Sequence, residues 1–196
     1  METILVGVGE LYIADVGTAF PALDTEPSAE WKAVGYTQDG VTVTLEQSIT
    51  EHRVDQETGP VKASRTEEGL LIATNMAEAT LDNLAKLLGR TIKTTAADVG
   101  QIGTEELGLY RGSKVARYAL LFRGNFSEHN EEYPAQYQIP VGYFSGNVEA
   151  AYTKDGVTRY TVEFRALVDP NAASDDEKFG SLIVQSEDAL QGEPSS

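Results

Sequence analysis

The side chains that could carry chemistry in this chain are mostly acidic, because the sequence has no cysteine and two histidines. Neighbouring acids recur, and a hydrolase can use a pair of carboxylates as acid and base. Adjacent residues on a strand point to opposite faces, however, so such pairs do not converge on one substrate. The pairs are Glu67-Glu68, Glu105-Glu106, Glu131-Glu132 and Asp175-Asp176. We predict no enzyme, catalytic residue, metal site or cofactor.

Other chemical motifs are incomplete. His52 and His129 stand among acidic and polar residues without the spacing of metal ligands, which predicts exposed histidines. Gly7-Val8-Gly9 begins like a dinucleotide-binding loop, but Tyr12 occupies the position of the third glycine and a strand is expected to follow. The run from Gly108 to Lys114 misses the spacing of a phosphate-binding loop by one residue. Neither glycine motif predicts a nucleotide site.

The formal charge of −16 comes from 31 acidic and 15 basic residues. A stable complex with DNA depends on basic side chains that displace counterions, so this balance argues against one. The first residues lack the basic region of a signal peptide, and no apolar run reaches membrane-spanning length. The sequon Asn125-Phe126-Ser127 is therefore attributed to chance. The lack of cysteine fits folding in a reducing cytoplasm.

Strand signals dominate the sequence. Asp39-Gly40 and Asp155-Gly156 predict two-residue hairpin turns, since glycine tolerates the positive φ that a type I′ turn needs. Alternating patterns predict strands at 116–122 and 148–153. A further strand has one face formed by Tyr160, Val162, Phe164, Ala166 and Val168, with Arg159, Thr161, Glu163 and Arg165 on the other.

One helix is well specified over residues 80–88. Thr80 can cap its start, Gly89 can end it, and four apolar side chains recur at helical spacing: Leu81, Leu84, Ala85 and Leu88. Residues 21–30 predict a loop, residues 91–113 an irregular segment, and residues 179–184 a short strand. We expect one β domain over residues 1–170, with this loop, a long ribbon at 41–77 and the helix, followed by a partly flexible C-terminal arm at 171–196.

The ribbon departs from ordinary patterning. From Val41 to Asp55 neither glycine nor proline interrupts the strand, and a second long run follows from Pro60. Its even positions are polar: Thr42, Thr44, Glu46, Ser48, Thr50 and His52. Its odd positions include Val41, Val43, Leu45 and Ile49. This pattern predicts one packed and one wet face along the whole ribbon, with a protruding tip at 56–59. Such edges are usually paired with another chain.

The order of several segments resembles the major tail tube proteins of long-tailed bacteriophages. The resemblance covers residues 9–89 and 157–170, and residues 90–147 have no counterpart in it. It is carried by Gly9-Glu10-Leu11-Tyr12-Ile13-Ala14, Trp31, Val34-Gly35-Tyr36-Thr37, Asp39-Gly40-Val41-Thr42-Val43, Gly59-Pro60-Val61-Lys62, Arg65-Thr66-Glu67-Glu68, Thr80-Leu81, Leu84-Ala85 and Phe164-Arg165-Ala166-Leu167-Val168-Asp169.

The resemblance implies a fold and an assembly. The fold would be mainly β with one short helix packed on it, an antiparallel β-sandwich or β-barrel with a long protruding hairpin and flexible arms. Hexameric rings of the chain would stack into the tail tube of the virion, assembled in the host cytoplasm. The implied partners are further copies of the chain, the tape measure protein, and the tail terminator and distal tail proteins. DNA would pass through without stable binding, and no membrane is involved.

Two groups of residues are candidate sites within that assembly. A large barrel around a water-filled interior calls for small polar and acidic side chains on its inner face. The candidates for the lumen are Thr42, Thr44, Glu46, Ser48 and Thr50. The candidates for contact with the adjacent ring are Val54, Asp55, Gln56, Glu57, Thr58, Gly59 and Pro60. An acidic wall would repel phosphates over about 8 Å at physiological salt.

The alternative hypothesis is a ligand-binding β-sandwich, such as a carbohydrate-binding or adhesin module. Aromatic side chains would then form a platform for the ligand. The candidates are Tyr110, Tyr118, Tyr133, Tyr137, Tyr143 and Phe144. Because several of them fall on periodic strand faces, we expect them in the core instead.

Overall fold

The computed structural model describes residues 9–35, 37–77, 80–124, 135–147 and 160–184. The predicted strand at 148–153, the turn Asp155-Gly156, the sequon, His129 and Tyr133 lie outside these ranges. The elements in chain order are β1 Gly9–Asp15, β2 Lys32–Ala33, β3 Thr37–His52, β4 Lys62–Met76, α1 Leu81–Leu88, β5 Ile92–Thr95, β6 Thr104–Leu107, β7 Tyr118–Gly124, β8 Ala135–Phe144, β9 Tyr160–Ala166 and β10 Ser181–Val184.

Eight strands form one antiparallel sheet. Its order is β2-β1-β7-β8-β9-β4-β3, and β10 pairs with β8 beside that path. Strands β5 and β6 form a separate hairpin. The prediction of a mainly β fold with one short helix is confirmed. Over the described residues the sheet does not close into a barrel, because β2 and β3 remain at its two ends.

The sheet is packed on both faces around β7. Strands from both halves of the sheet share the main core with Val34 and Leu87, so the sheet folds back on itself around that core. Its other members are Leu11, Ile13, Leu70, Ile72, Met76, Leu120, Ile139, Tyr160, Val162, Phe164 and Ala166. On the other face, Trp31 and Phe20 cover Ala119 and Leu121 of β7. Because both faces of β7 are packed, its residues from 118 to 122 are all apolar or aromatic and do not alternate with polar ones.

The helix follows its predicted signals. The Thr80 hydroxyl accepts a hydrogen bond from the Asn83 amide at 3.2 Å, and Gly89 ends the helix in the left-handed region at φ 63°. Asn83 is buried, and its side-chain amide donates to the Val34 carbonyl at 3.1 Å. Asn83 therefore ties the helix to the segment after β2.

The predicted hairpin turn at Asp39-Gly40 is wrong. Both residues lie inside β3, where the register with β4 shifts between Gln38 and Val41. Gly40 has φ 78°, and the Thr74 hydroxyl donates to its carbonyl at 2.8 Å. The same positive φ serves a type I′ turn and a bulge, so the dipeptide alone does not distinguish them.

Other segments sharpen the sequence interpretation. The alternation in β9 is confirmed, since Tyr160, Val162, Phe164 and Ala166 are buried, but Val168 lies beyond the strand and is exposed. The segment at 91–113, predicted to be irregular, contains the hairpin β5–β6. The predicted C-terminal strand exists as β10. The division of the chain at residue 170 stays a prediction.

Candidate functional site

Strands β3 and β4 pair from Thr37 to His52 and form the long ribbon that the sequence predicts. The polar positions of β3 lie on one face, and their partners on β4 extend that face. Thr44 pairs with Leu71, Glu46 with Gly69, and Ser48 with Glu67. Four of the five proposed lumen residues are exposed, namely Thr42, Thr44, Ser48 and Thr50, and Glu46 is half-buried. We call this surface the polar face.

A β-bulge interrupts the ribbon at Thr66. The register shifts between Ser48 and Ile49, and the Thr66 hydroxyl donates to the Ser48 carbonyl at 3.2 Å. The Ser48 hydroxyl donates to Glu67 at 3.3 Å. A bulge bends a strand and increases its twist, so the distal half of the ribbon is turned relative to the half that packs on the core.

The polar face continues onto β9, which sequence reasoning did not connect to it. Leu71 pairs with Arg165, and Ala73 pairs with Glu163. The Arg165 guanidinium donates to Glu46 at 2.8 Å. Only the order of strands in the sheet brings these two residues together, since 119 positions separate them. The face therefore carries charges of both signs, with a base directly beside its central acid.

Gly69 provides the space for this ion pair. A Cβ atom at position 69 would lie 3.1 Å from Glu46 Oε2 and 3.6 Å from the nearer Arg165 nitrogen. A side chain at position 69 would press on the Glu46 carboxylate, whereas the distance to Arg165 is an ordinary van der Waals contact, so Gly69 leaves room for Glu46 to reach Arg165.

We expect the coupling between Glu46 and Arg165 to be small. Both side chains are about two-fifths exposed, so water screens their attraction. A double-mutant cycle with Glu46→Gln and Arg165→Met should give a coupling energy of about 0.5–1 kcal/mol in the free energy of unfolding. The same cycle on the more exposed pair Glu51 and Arg53 is the control and should give less. Equal coupling in the two cycles would contradict the expectation.

The opposite face of the ribbon is packed over only part of its length, which corrects the prediction of a fully packed face. Val41 and Val43 pack against the main core, whereas Leu45 is 81% exposed and Ile49 is 54% exposed. The neighbouring strand ends before these residues, because β9 pairs with β4 only between Leu71 and Met76. The part of the ribbon beyond Val43 therefore presents apolar side chains to solvent.

The ribbon tip forms the connection between β3 and β4. All seven proposed contact residues, Val54 to Pro60, are exposed, and the Glu57 amide donates to the Val54 carbonyl at 3.2 Å. The loop thus lies at the end of the ribbon, where the sequence places it. Its contact with an adjacent ring stays a prediction.

The aromatic residues of the alternative hypothesis are divided among several places in the described residues. Tyr118, Tyr143 and Phe144 line one hollow of about 240 Å³ beside the end of the helix. Tyr118, Tyr137 and Phe144 pack against the main core, and Tyr110 is exposed on a separate segment. Burial raises the pKa of Tyr118, and the neighbouring charge of Asp15 raises it further. Tyr118, Tyr137 and Phe144 therefore contribute to the packing of the core, as expected from their strand positions.

His52 is exposed at the end of β3. Within the described ranges, no group of three or more histidine, aspartate or glutamate side chains is arranged to hold a metal ion. No helix in those ranges is long and apolar enough to span a membrane.

Comparison with known proteins identifies the family. A family model described as "Phage tail tube protein" matches residues 1–175. No curated protein matches the sequence. One similar solved structure is the "Cryo-EM structure of the anti-feeding prophage (AFP) baseplate, 6-fold symmetrised", with 12% identity, a TM-score of 0.42, and coverage of 84% of this chain and 91% of that chain. The match over residues 1–175 makes this chain a member of the phage tail tube protein family, a structural component of the virion tail that assembles with copies of itself.

Proposed function

We propose that six copies of this chain form a ring, that the rings stack into the hollow tail tube, and that the polar face lines its lumen. The carrying observation is the ribbon itself. β3 is sixteen residues long and lies at the end of the sheet, with one edge paired to β4 and the other unpaired in the described residues. A long open edge is a template for pairing with another chain. Pairing with a neighbour would join the polar faces into a continuous wall.

The chemistry of the polar face suits passage without binding. Thr42, Thr44, Ser48 and Thr50 offer small hydroxyls, and Glu67 and Glu163 add negative charge. Such a wall gives phosphates no cluster of bases to hold them. During assembly in the host cytoplasm the tape measure protein occupies the lumen, and DNA passes through it during genome ejection. Tail terminator and distal tail proteins are the further partners.

Electron microscopy tests the assembly. Purified protein in negative stain should form rings or hollow tubes with six-fold symmetry, alone or on a baseplate seed. Monomers that persist with every seed, or rings with another symmetry, would overturn the proposed architecture.

A single added charge tests the lumen assignment. Thr44→Lys places a base in the middle of the exposed polar face, and in a ring it would be repeated six times. Tubes should still form, but DNA delivery by virions carrying the variant should fall by about tenfold, because a positive wall attracts phosphates. Glu46→Lys is less suitable, since Arg165 lies 2.8 Å from that carboxylate and would repel the new base.

Thr25→Lys is the matched control, as Thr25 is exposed in the loop at 21–30, away from the ribbon. Its DNA delivery should equal that of the wild type. Intact tubes and unchanged delivery for Thr44→Lys would remove the polar face from the lumen.

A further inference from the structure

Residues 90–117, which we call the arm, are more exposed than the rest of the described chain. Every residue from 93 to 106 is exposed, including both strands of the hairpin except their outer ends. Large apolar side chains lie in the open along its length: Val99, Ile102, Leu109, Tyr110 and Val115. A two-stranded hairpin alone is marginally stable in water, so this surface needs a partner.

The base of the arm is fixed to the rest of the subunit by two arginine side chains. The Arg90 guanidinium donates to the Tyr110 carbonyl at 2.8 Å and so joins the two ends of the hairpin segment. Arg111 donates to the Gly146 carbonyl at 3.4 Å. Since both cations are used at the base, the arm is held at a defined place on the subunit.

The arm also reverses the charge of the chain. It carries five basic residues and three acidic ones, and the remainder of the chain has ten basic and 28 acidic residues. The arm bases are Arg90, Lys93, Arg111, Lys114 and Arg117. The excess of base lies in residues 108–117, which hold Arg111, Lys114 and Arg117 and no acid, whereas the hairpin residues 92–107 hold Lys93 against three acids. The segment 108–117 also carries exposed Leu109, Tyr110 and Val115, so it fits an acidic apolar surface of the same protein.

An acidic apolar surface lies beside the part of the ribbon beyond Val43. Two adjoining hollows of about 320 and 420 Å³ share Arg65, Glu68 and Phe179. We call them together the ribbon groove, lined chiefly by Leu45, Gln47, Arg65, Glu68, Val168 and Phe179. Leu45 and Val168 are exposed apolar side chains, so the groove offers an apolar floor to solvent.

Both banks of the ribbon groove are acidic. Among the ribbon residues that line the groove, three are acidic, Glu46, Glu67 and Glu68, and one is basic, Arg65. Residues 168–179 contain Asp169, Asp175, Asp176 and Glu177 with Lys178 as the single base. A hydrogen bond from Lys178, at 2.6 Å, lowers the pKa of Asp175 and occupies that base. The other acids of this bank have no basic partner among the described residues.

We propose that the arm of one copy docks in the ribbon groove of a neighbouring copy. The apolar arm residues would cover Leu45 and Phe179, and Lys114 and Arg117 would face the acidic banks. The occupant is a second copy. The arm of the same chain is fixed beside Gly146, and Gly146 is not among the residues that line the groove. Arm and groove are different surfaces, so the contact is heterologous and closes rings or extends a stack. This contact rests on the proposed tube.

Cross-linking in assembled tubes tests the contact. The chain has no cysteine, so Leu45→Cys together with Tyr110→Cys introduces the only two thiols. A short bismaleimide reagent should join successive copies into a ladder of dimers, trimers and larger species on a denaturing gel. Either single variant should give no species above the dimer.

The matched control pairs Leu45→Cys with Val16→Cys, an exposed apolar residue outside the arm, and should give no ladder. Tubes that contain both thiols of the arm pair but yield only monomers would overturn the docking while leaving the tube intact. Failure of the unmodified chain to form tubes would instead overturn the proposed function.

Charge provides a second measurement on the same contact. Tyr110→Glu should raise the protein concentration required for tube formation by about tenfold, since it places an acid against an acidic groove. Val16→Glu should leave that concentration unchanged. Equal concentrations for the two variants would contradict the docking.

Discussion

Replacement of Gly142 with alanine is expected to lower the free energy of unfolding of the subunit by about 3 kcal/mol. Gly142 lies where β8 passes between two strands, paired with Tyr118 of β7 and Ala166 of β9. A Cβ atom there would lie 2.3 Å from the Phe164 ring and 2.7 Å from the Arg165 carbonyl. Neither neighbour can yield, because the ring is buried against Phe144 and the carbonyl belongs to the adjacent strand.

Denaturant unfolding followed by circular dichroism, under conditions where the subunit is monomeric, measures the loss. Gly59→Ala is the control, because nothing lies within 4 Å of a Cβ at that position. Its stability should stay equal or rise slightly, through a less flexible unfolded chain. A loss below about 1 kcal/mol for Gly142→Ala would mean that β8 and β9 can separate without cost to the core.

The parts of the fold that the sequence predicts are those in which burial imposes a period. β9 alternates because only its even-numbered residues face the core. The helical period predicts its buried side only in part: Ala85 is buried, but Leu81, Leu84 and Leu88 are half-buried, and the other buried residues are Asn83 and Leu87. The arm has no such period, since both sides of its hairpin are exposed. The sequence therefore predicts an irregular segment at 91–113, although the two strands within it pair over four residues each.

The candidate site is predictable only within the ribbon. The polar positions of β3 follow from one strand, and the structure places four of the five in solvent. The pairing of Glu46 with Arg165 depends on the register between β4 and β9, which no local pattern contains. The bulges at Gly40 and Thr66 likewise depend on hydrogen bonds between strands.

Burial of Arg123 is the largest departure from what its residue type suggests. The side chain is 1% exposed, yet arginine is usually found at the surface. Its Nε donates to Gln136 at 2.9 Å, and another guanidinium nitrogen donates to the Ala22 carbonyl at 2.5 Å. Gln136 in turn donates to the Pro21 carbonyl at 2.8 Å. These bonds attach the loop at 21–30 to the sheet.

Arg123→Met should therefore lower the free energy of unfolding by about 3 kcal/mol, because it leaves the buried acceptor on Gln136 and the partly buried carbonyl of Ala22 without this donor. The loop at 21–30 should also become sensitive to proteolysis, which mass spectrometry of the fragments would locate.

Arg53→Met is the matched control; Arg53 is exposed with Glu51 as its partner, so its loss should change stability by less than about 0.5 kcal/mol. An Arg123→Met subunit as stable as the wild type would show that the desolvation cost of the guanidinium equals what its hydrogen bonds contribute. Stability and protease resistance both unchanged would mean that Trp31 and Phe20 alone hold the loop against β7.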